Sequence, residues 1–161
     1  MIKVEEIVEK YKGYEVDEGK LKEFLVPPKP KTIWDLKVKD DYWCISDYDG
    51  NVRSIWDNCT IDNYRRSMGN CFLTEKEAEF EVERRKVEAI LLKYGGRRFK
   101  NSERNYYLYY DHEDNLIRKN MVDTCQSQGI IFFDDDKVID QAIKEAGEDN
   151  IKKYIFGVDA E

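Results

Sequence analysis

Any chemistry in this chain has to come from a few short clusters. The first is KYGGRRFK, Lys93 to Lys100, where basic side chains flank a pair of glycines. Glycine frees the backbone and arginine offers a planar fork of donors, so the stretch can receive a phosphate or a carboxylate. It also reads as the basic end of a helix, favourable beside the negative pole of the helix dipole, followed by a linker. The second cluster is NYYLYY, Asn105 to Tyr110. Side chains alternate along a strand, so Tyr106 and Tyr110 share one face and Tyr107 and Tyr109 the other. One face belongs to the core. The other, with Trp43 in an earlier strand, can stack a base or anchor a protein, because Tyr and Trp combine rigid apolar area with a polar tip. Mutual burial of aromatic faces is the alternative. The candidate binding residues are therefore Trp43, Tyr107, Tyr109, Arg97 and Arg98.

The remaining clusters read as structure. His112 is the one histidine and sits among Asp111, Glu113 and Asp114 in a turn; zinc needs further imidazole or thiolate ligands, and a general base needs a nucleophile beside it. The run Asp134 to Asp136 suits a helix N-terminus better than magnesium. DYDGN, residues 47–51, lacks the glycine and glutamate spacing of a calcium loop and is turn chemistry. Cys44, Cys59, Cys71 and Cys125 show no C-x-x-C spacing and read as free thiols. No acid, base and nucleophile set emerges, so the expectation is a protein that is not an enzyme, with no metal and no cofactor.

The elements that must position these residues come from a repeat. GNCFLTEKEAEFEVE, residues 69–83, has a weaker copy in GIIFFDDDKVIDQAI, residues 129–143. Ahead of each lies a strand, a tight turn and a second strand: YWCIS, DYDGN, VRSIW and then YYLYY, DHEDN, LIRKN. The hairpins match Tyr42 with Tyr106 and Asn51 with Asn115, and the motif after each matches Phe72 with Phe132. A polar loop then leads to each helix. Thr74 and Glu77 form a capping box on the first, and Asp134 caps the second. The first helix runs long, to Gly95 and Gly96, and is apolar on two sides: Ala78, Val82, Ala89 and Leu92 against Phe80, Val87, Leu91 and Tyr94. Such a helix must be covered twice. The chain closes on an expected strand, Tyr154 to Val158. Upstream, residues 2–11 form an amphipathic helix, a second begins after Asp17, and VPPKPK ends it in an extended linker. The fold class is α+β: a helical arm and linker (1–36), a first hairpin-loop-helix unit (37–96), and a duplicate with a C-terminal strand (97–161), the two units packed as one compact body.

With 161 residues, 41% of them apolar, the chain has the means to build a core without staples. A net charge of −7 disfavours general attraction to DNA or anionic membrane. The start MIKVEEIVEK lacks the apolar stretch of a signal peptide, and no run has the length to span a bilayer. A reducing cytoplasm, that of a bacterial host cell, is the expected setting.

The stretches IWDLKVKDDYWCI, DGNV, IWDN and DNYRRSMGNCFLTEKEAEFEVERRKVEAILLKYGGRRF resemble a family of small proteins of phages and prophages of Gram-positive bacteria. The resemblance covers roughly residues 32–110 and extends to KYKGYEVDEGKL and IKKYIFGV. It implies a genomic origin and carries over no catalytic residues. Small acidic phage proteins of this kind often act by binding. The leading expectation is a non-enzymatic binding protein that antagonises a host defence function, for example an anti-CRISPR-type inhibitor of an immune nuclease, with a host or defence-system protein as partner. The alternatives are a sequestering protein for a nucleotide signal, held between the two units, and a nucleic-acid-binding accessory protein using Arg65, Arg66, Arg84, Arg85 and Arg97. A homodimer is a further candidate assembly, and no membrane partner is expected.

Overall fold

The computed structural model describes residues 4–15 and 32–158. The chain divides into two compact units, 1–31 and 32–161. In the first, α1 (Val4–Lys10) carries Glu5 and Glu6 in its first turn and Lys10 in its last, matching the helix dipole. The helix expected after Asp17 and the proline linker lie outside the described residues. The boundary expected at residue 36 falls earlier. Thr32 and Asp35 hydrogen-bond around a 3-10 turn, Ile33–Asp35, and Leu36 is buried against the first hairpin.

The second unit mixes helices with two antiparallel hairpins, an α+β arrangement. Strand β1 (Asp41–Ser46) pairs with β2 (Gly50–Ile55), and β3 (Asn105–Asp111) with β4 (Leu116–Val122). The hairpins share several details. A left-handed residue before each first strand, Lys39 (φ 78°) or Ser102 (φ 65°), donates its N–H to the chain leaving the second strand, at Trp56 or Asp123. Each first strand is also bridged on its outer edge, Trp43 to Phe72 and Tyr106 to Phe133, by reciprocal backbone hydrogen bonds.

The polar loop expected after the first hairpin contains a helix, α2 (Thr60–Ser67). Hydrophobic periodicity could not announce it, because its large apolar residues Ile61 and Tyr64, with Met68 just beyond, are exposed and its buried member is Asp62. Helix α3 (Glu75–Tyr94) follows, with Thr74 and Glu77 closing the capping box and Gly95 at its end. Its buried side changes along its length. Ala78 and Val87 are both buried, yet nine residues at about 100° each place them on opposite sides of the helix. The helix packs on both strands of the first hairpin and on α4 (Asp136–Ala146) and α5 (Glu148–Tyr154). It is thus covered twice, but Ala89 and Leu92, expected within one apolar side, are exposed.

Two expectations fail near the C-terminus. The cap of α4 is Asp135, whose carboxylate accepts from Val138 N–H, rather than Asp134. The expected strand at Tyr154–Val158 is instead the end of α5 and the turns after it, with Ile155 and Phe156 N–H donating to Ile151 O. Gly147, at φ 84°, ends α4 and starts α5, so the apolar run YIF meets the core from a helix end.

Candidate binding surface

Cross-strand partners share a face, so Asn105, Tyr107, Tyr109 and Asp111 lie on one face with Val122, Asn120, Arg118 and Leu116. Tyr106, Leu108 and Ile117 turn the other way and pack on the core of Val87, Leu91, Phe133 and Ile139. On the outer face the rings form a continuous row. Phe99 meets Phe132 at 5.4 Å between centroids, Phe132 meets Tyr107 at 6.5 Å, and Tyr107 meets Tyr109 at 6.4 Å. Phe132 is buried as the floor, while Phe99, Tyr107 and Tyr109 are half-buried.

One end of the row is closed by a polar clasp. Asn105, fully buried, accepts from Arg97 Nη1 (2.8 Å) and Lys100 N–H (2.9 Å) and donates to the carbonyls of Lys100, Glu103 and Val122. Arg97 also donates to the carbonyls of Arg98 and Arg104, and its Nε lies 2.7 Å from Asp134 Oδ1, an ion pair rather than an aligned hydrogen bond. These bonds fix the 97–105 loop and occupy the guanidinium expected to receive a ligand. Arg98 and Arg104 differ: both are exposed, and neither forms an ion pair among the described residues.

The corresponding face of the first hairpin is covered. Tyr42 and Cys44 point from β1 into a cluster with Leu36, Trp56 and Cys71. Helix α2 closes it: Asp62 accepts from Tyr42 Oη (2.8 Å), Asp57 N–H (2.9 Å) and Cys59 N–H (3.3 Å). Burial pushes the Asp62 carboxyl up, but these donors together outweigh it and hold the group below the usual carboxylate value. Burial also raises the Tyr42 phenol. Arg65 donates to Tyr42 Oη (2.8 Å), and Arg66 lies 4.5 Å from the Trp56 ring and 5.1 Å from Trp34. Tyr42 is 0% exposed and Cys44 1%. In the second hairpin the segment available for such a cover, residues 123–128, is exposed and contains no helix, against residues 56–68 in the first.

The structure brings together three of the five sequence candidates, Arg97, Tyr107 and Tyr109, around Phe132, while the Arg98 side chain is exposed and no contact joins it to the rings among the described residues. Trp43 stands apart. Its bridge to Phe72 gives it the position in the first hairpin that Tyr106 holds in the second, on the side opposite Tyr42 and Cys44. Phe99, Asn105 and Phe132 are the members the sequence did not reveal. The signal was the pair Phe132–Phe133: on a strand-like segment adjacent residues face opposite ways, so one ring serves each side.

The other chemical candidates have structural partners. Asp134 pairs with Arg97, Asp135 caps α4, and Asp136 pairs with Lys119 (3.0 Å). His112 is exposed with its ring edge-on to Tyr110 (4.8 Å). Arg84 and Arg85 are both held by Glu81, at 2.6 and 2.8 Å. A cavity of about 300 Å³ opens behind the second hairpin, among Leu91, Leu108, Ile131 and Phe156 with Arg84 and Glu88, and that arginine is neutralised by Glu81 and Glu88. No helix among the described residues is long and apolar enough to cross a membrane. No family model matches the chain, nor does any curated protein or solved structure.

Proposed function

We propose that the protein is a non-enzymatic binding protein whose contact surface is the outer face of the second hairpin. One observation carries this reading: a row of half-buried rings on a face whose counterpart in the same chain is sealed. Tyrosine and arginine recur where a few residues dominate a protein interface. The reading treats the two hairpins with their bridges and helices as copies of one unit. The shared bridges and left-handed residues support that, and they align Trp43 with Tyr106 rather than Tyr42 with Tyr106.

The resemblance to phage and prophage proteins supports a host defence protein, such as a CRISPR nuclease, as the target. The nucleotide-sequestering alternative finds less support, since Arg97 is already bonded and Trp43 lies elsewhere. The nucleic-acid alternative likewise relied on Arg65, Arg66, Arg84, Arg85 and Arg97, all of which have partners within the protein. The test is affinity capture from host cells with wild type and a Tyr107→Ala/Tyr109→Ala variant, alongside phage-protection assays. Capture and protection lost together in the variant are expected; capture of nothing by wild type refutes the reading.

A further inference from the structure

We infer that Cys44 and Cys71 are a disulfide site: a low-molecular-weight disulfide oxidises the pair to a reversible cross-strand bond that ties β1 to the segment entering α3.

The first argument is register. Trp43 and Phe72 exchange both backbone hydrogen bonds, each 2.8 Å, as a hydrogen-bonded antiparallel pair does. Two residues along β1 the ladder continues through a side chain. Asn70 Oδ1 accepts from Ile45 N–H (2.8 Å), and Asn70 Nδ2 donates to Ile45 O (2.9 Å). Cys71 is thus pinned from both sides opposite Cys44, at a non-hydrogen-bonded position. Such positions bring facing Cα atoms to about 4.5 Å, within the span of about 4.4–6.8 Å that a disulfide bridges.

The second argument is where the side chains go. Cys44 and Cys71 are both buried and belong to one cluster, so they turn to the same side of the hairpin. In the second hairpin the Tyr106 to Phe133 bridge sets Tyr107 opposite Phe132, and those two rings meet, 6.5 Å between centroids. The corresponding positions of the first hairpin hold two thiols instead. Burial pushes the Cys71 thiol up to about 11, and Cys44 adds to the rise, so the two sulfurs lie within electrostatic reach of each other.

The third argument is chemistry. Both cysteines are free thiols in the structure, and two exchanges join them. A thiolate of the pair attacks one sulfur of the small disulfide, giving a mixed disulfide and releasing one small thiol. Its partner, once deprotonated, attacks the protein sulfur of that mixed disulfide, which closes the Cys44 to Cys71 bond and releases the second small thiol. The pair gives up two electrons and two protons, and the small disulfide leaves as two thiols. Burial keeps thiolate scarce while α2 covers the cluster, so the first exchange passes through an opening of that cover. The loop that the bond closes, residues 45–70, contains β2 and α2. Oxidation therefore fastens the cover that Asp62 holds in the reduced protein.

The experiment equilibrates the full chain in buffers of reduced and oxidised glutathione, alkylates the remaining thiols after unfolding, maps the disulfides by peptide mass spectrometry and follows thermal melting. The expected result is Cys44 joined to Cys71, melting about 5 °C or more above the reduced protein, and loss of the bond on return to reduced glutathione. Cys59→Ser/Cys125→Ser, which removes only the exposed thiols, should form the bond to the same extent. Glutathione on Cys59 and Cys125 alone, with Cys44 and Cys71 still alkylated after the most oxidising buffer, overturns the inference. So does a bond from either buried cysteine to an exposed one, or a linked protein that melts below the reduced one.

Discussion

Asp62 is the residue whose removal reports most directly on how α2 is held to the first hairpin. It is 3% exposed and accepts from three donors, two of them within 3 Å. Hydrogen bonds to a charged group contribute about 1.5–3 kcal/mol each, and a buried donor left bare costs about 1–3 kcal/mol. Asp62→Ala strands the Tyr42 hydroxyl and the Asp57 N–H, so the expected loss is about 3–5 kcal/mol. That corresponds to a fall of roughly 10 °C in melting temperature for a domain of this size. Asp62→Asn keeps the shape and one acceptor oxygen and is expected to lose about half as much. The pH dependence follows from the depressed folded pKa. Asp62 contributes its stability in full above the ordinary aspartate value near 3.9, and the contribution is lost as pH falls through the lower folded value. Thermal melts followed by circular dichroism at pH 7, 5 and 3 should show wild type and Asp62→Asn converging toward the acid end. A loss below about 1 kcal/mol for Asp62→Ala, or a gap that does not narrow, refutes the account of α2 as fastened by this carboxylate.

Three further outcomes are expected. Gly95→Ala places a Cβ 2.8 Å from two Phe133 ring carbons and 2.9 Å from Ile131, so it destabilises by about 1–3 kcal/mol. Phe133→Leu should relieve part of that loss in a double-mutant cycle, whereas it should not relieve Gly96→Ala, whose cost includes a left-handed backbone at φ 79°. Arg97→Gln, which loosens the clasp on Asn105, lowers stability in urea by about 1–3 kcal/mol, while Arg98→Gln leaves it within about 0.5 kcal/mol. A thiol reagent at pH 8 should label the exposed Cys59 and Cys125 in the native protein and reach Cys44 and Cys71 only on unfolding. Burial pushes the Cys71 thiol up to about 11, so labelling of native Cys71 at a rate like that of Cys125 contradicts the packing.

The regular elements were legible wherever one local signal decided them. Strand alternation with turn residues marked both hairpins, and Thr74, Glu77 and Gly95 marked the ends of α3. Where two segments compete for one face, the sequence was silent or off by one. α2 escaped because its contact with the hairpin runs through Asp62 and Arg65, which carry no hydrophobic period. The closing strand failed because YIFGV is as apolar as a strand and its helical start lies upstream, in Gly147 and the acidic Glu148 and Asp149. The candidate surface was legible as residue types, since Tyr107 and Tyr109 do share the outer face. It was not legible as an arrangement. Matching Phe132 to Phe72 put the wrong ring in the bridge, and a slip of one residue on a pleated segment exchanges the two faces. Arg97 looked like a ligand contact because nothing local reveals that Asn105 and Asp134 fold back onto it.

The change of buried side along α3 has a consequence for how the second unit comes apart. Its Ala78 end and its Val87 and Leu91 end are buried on opposite sides of one helix, which packs on the first hairpin and on α4 and α5. Cutting the chain after Gly96 would strip Ile139 and Ala142 of Val87 and Leu91 and leave those two facing water, so neither fragment inherits a finished interior. A helix shared in this way turns two small folding problems into one. Amide exchange at Tyr42 and at Ile139 should therefore report the same opening free energy, as members of a single cooperative unit.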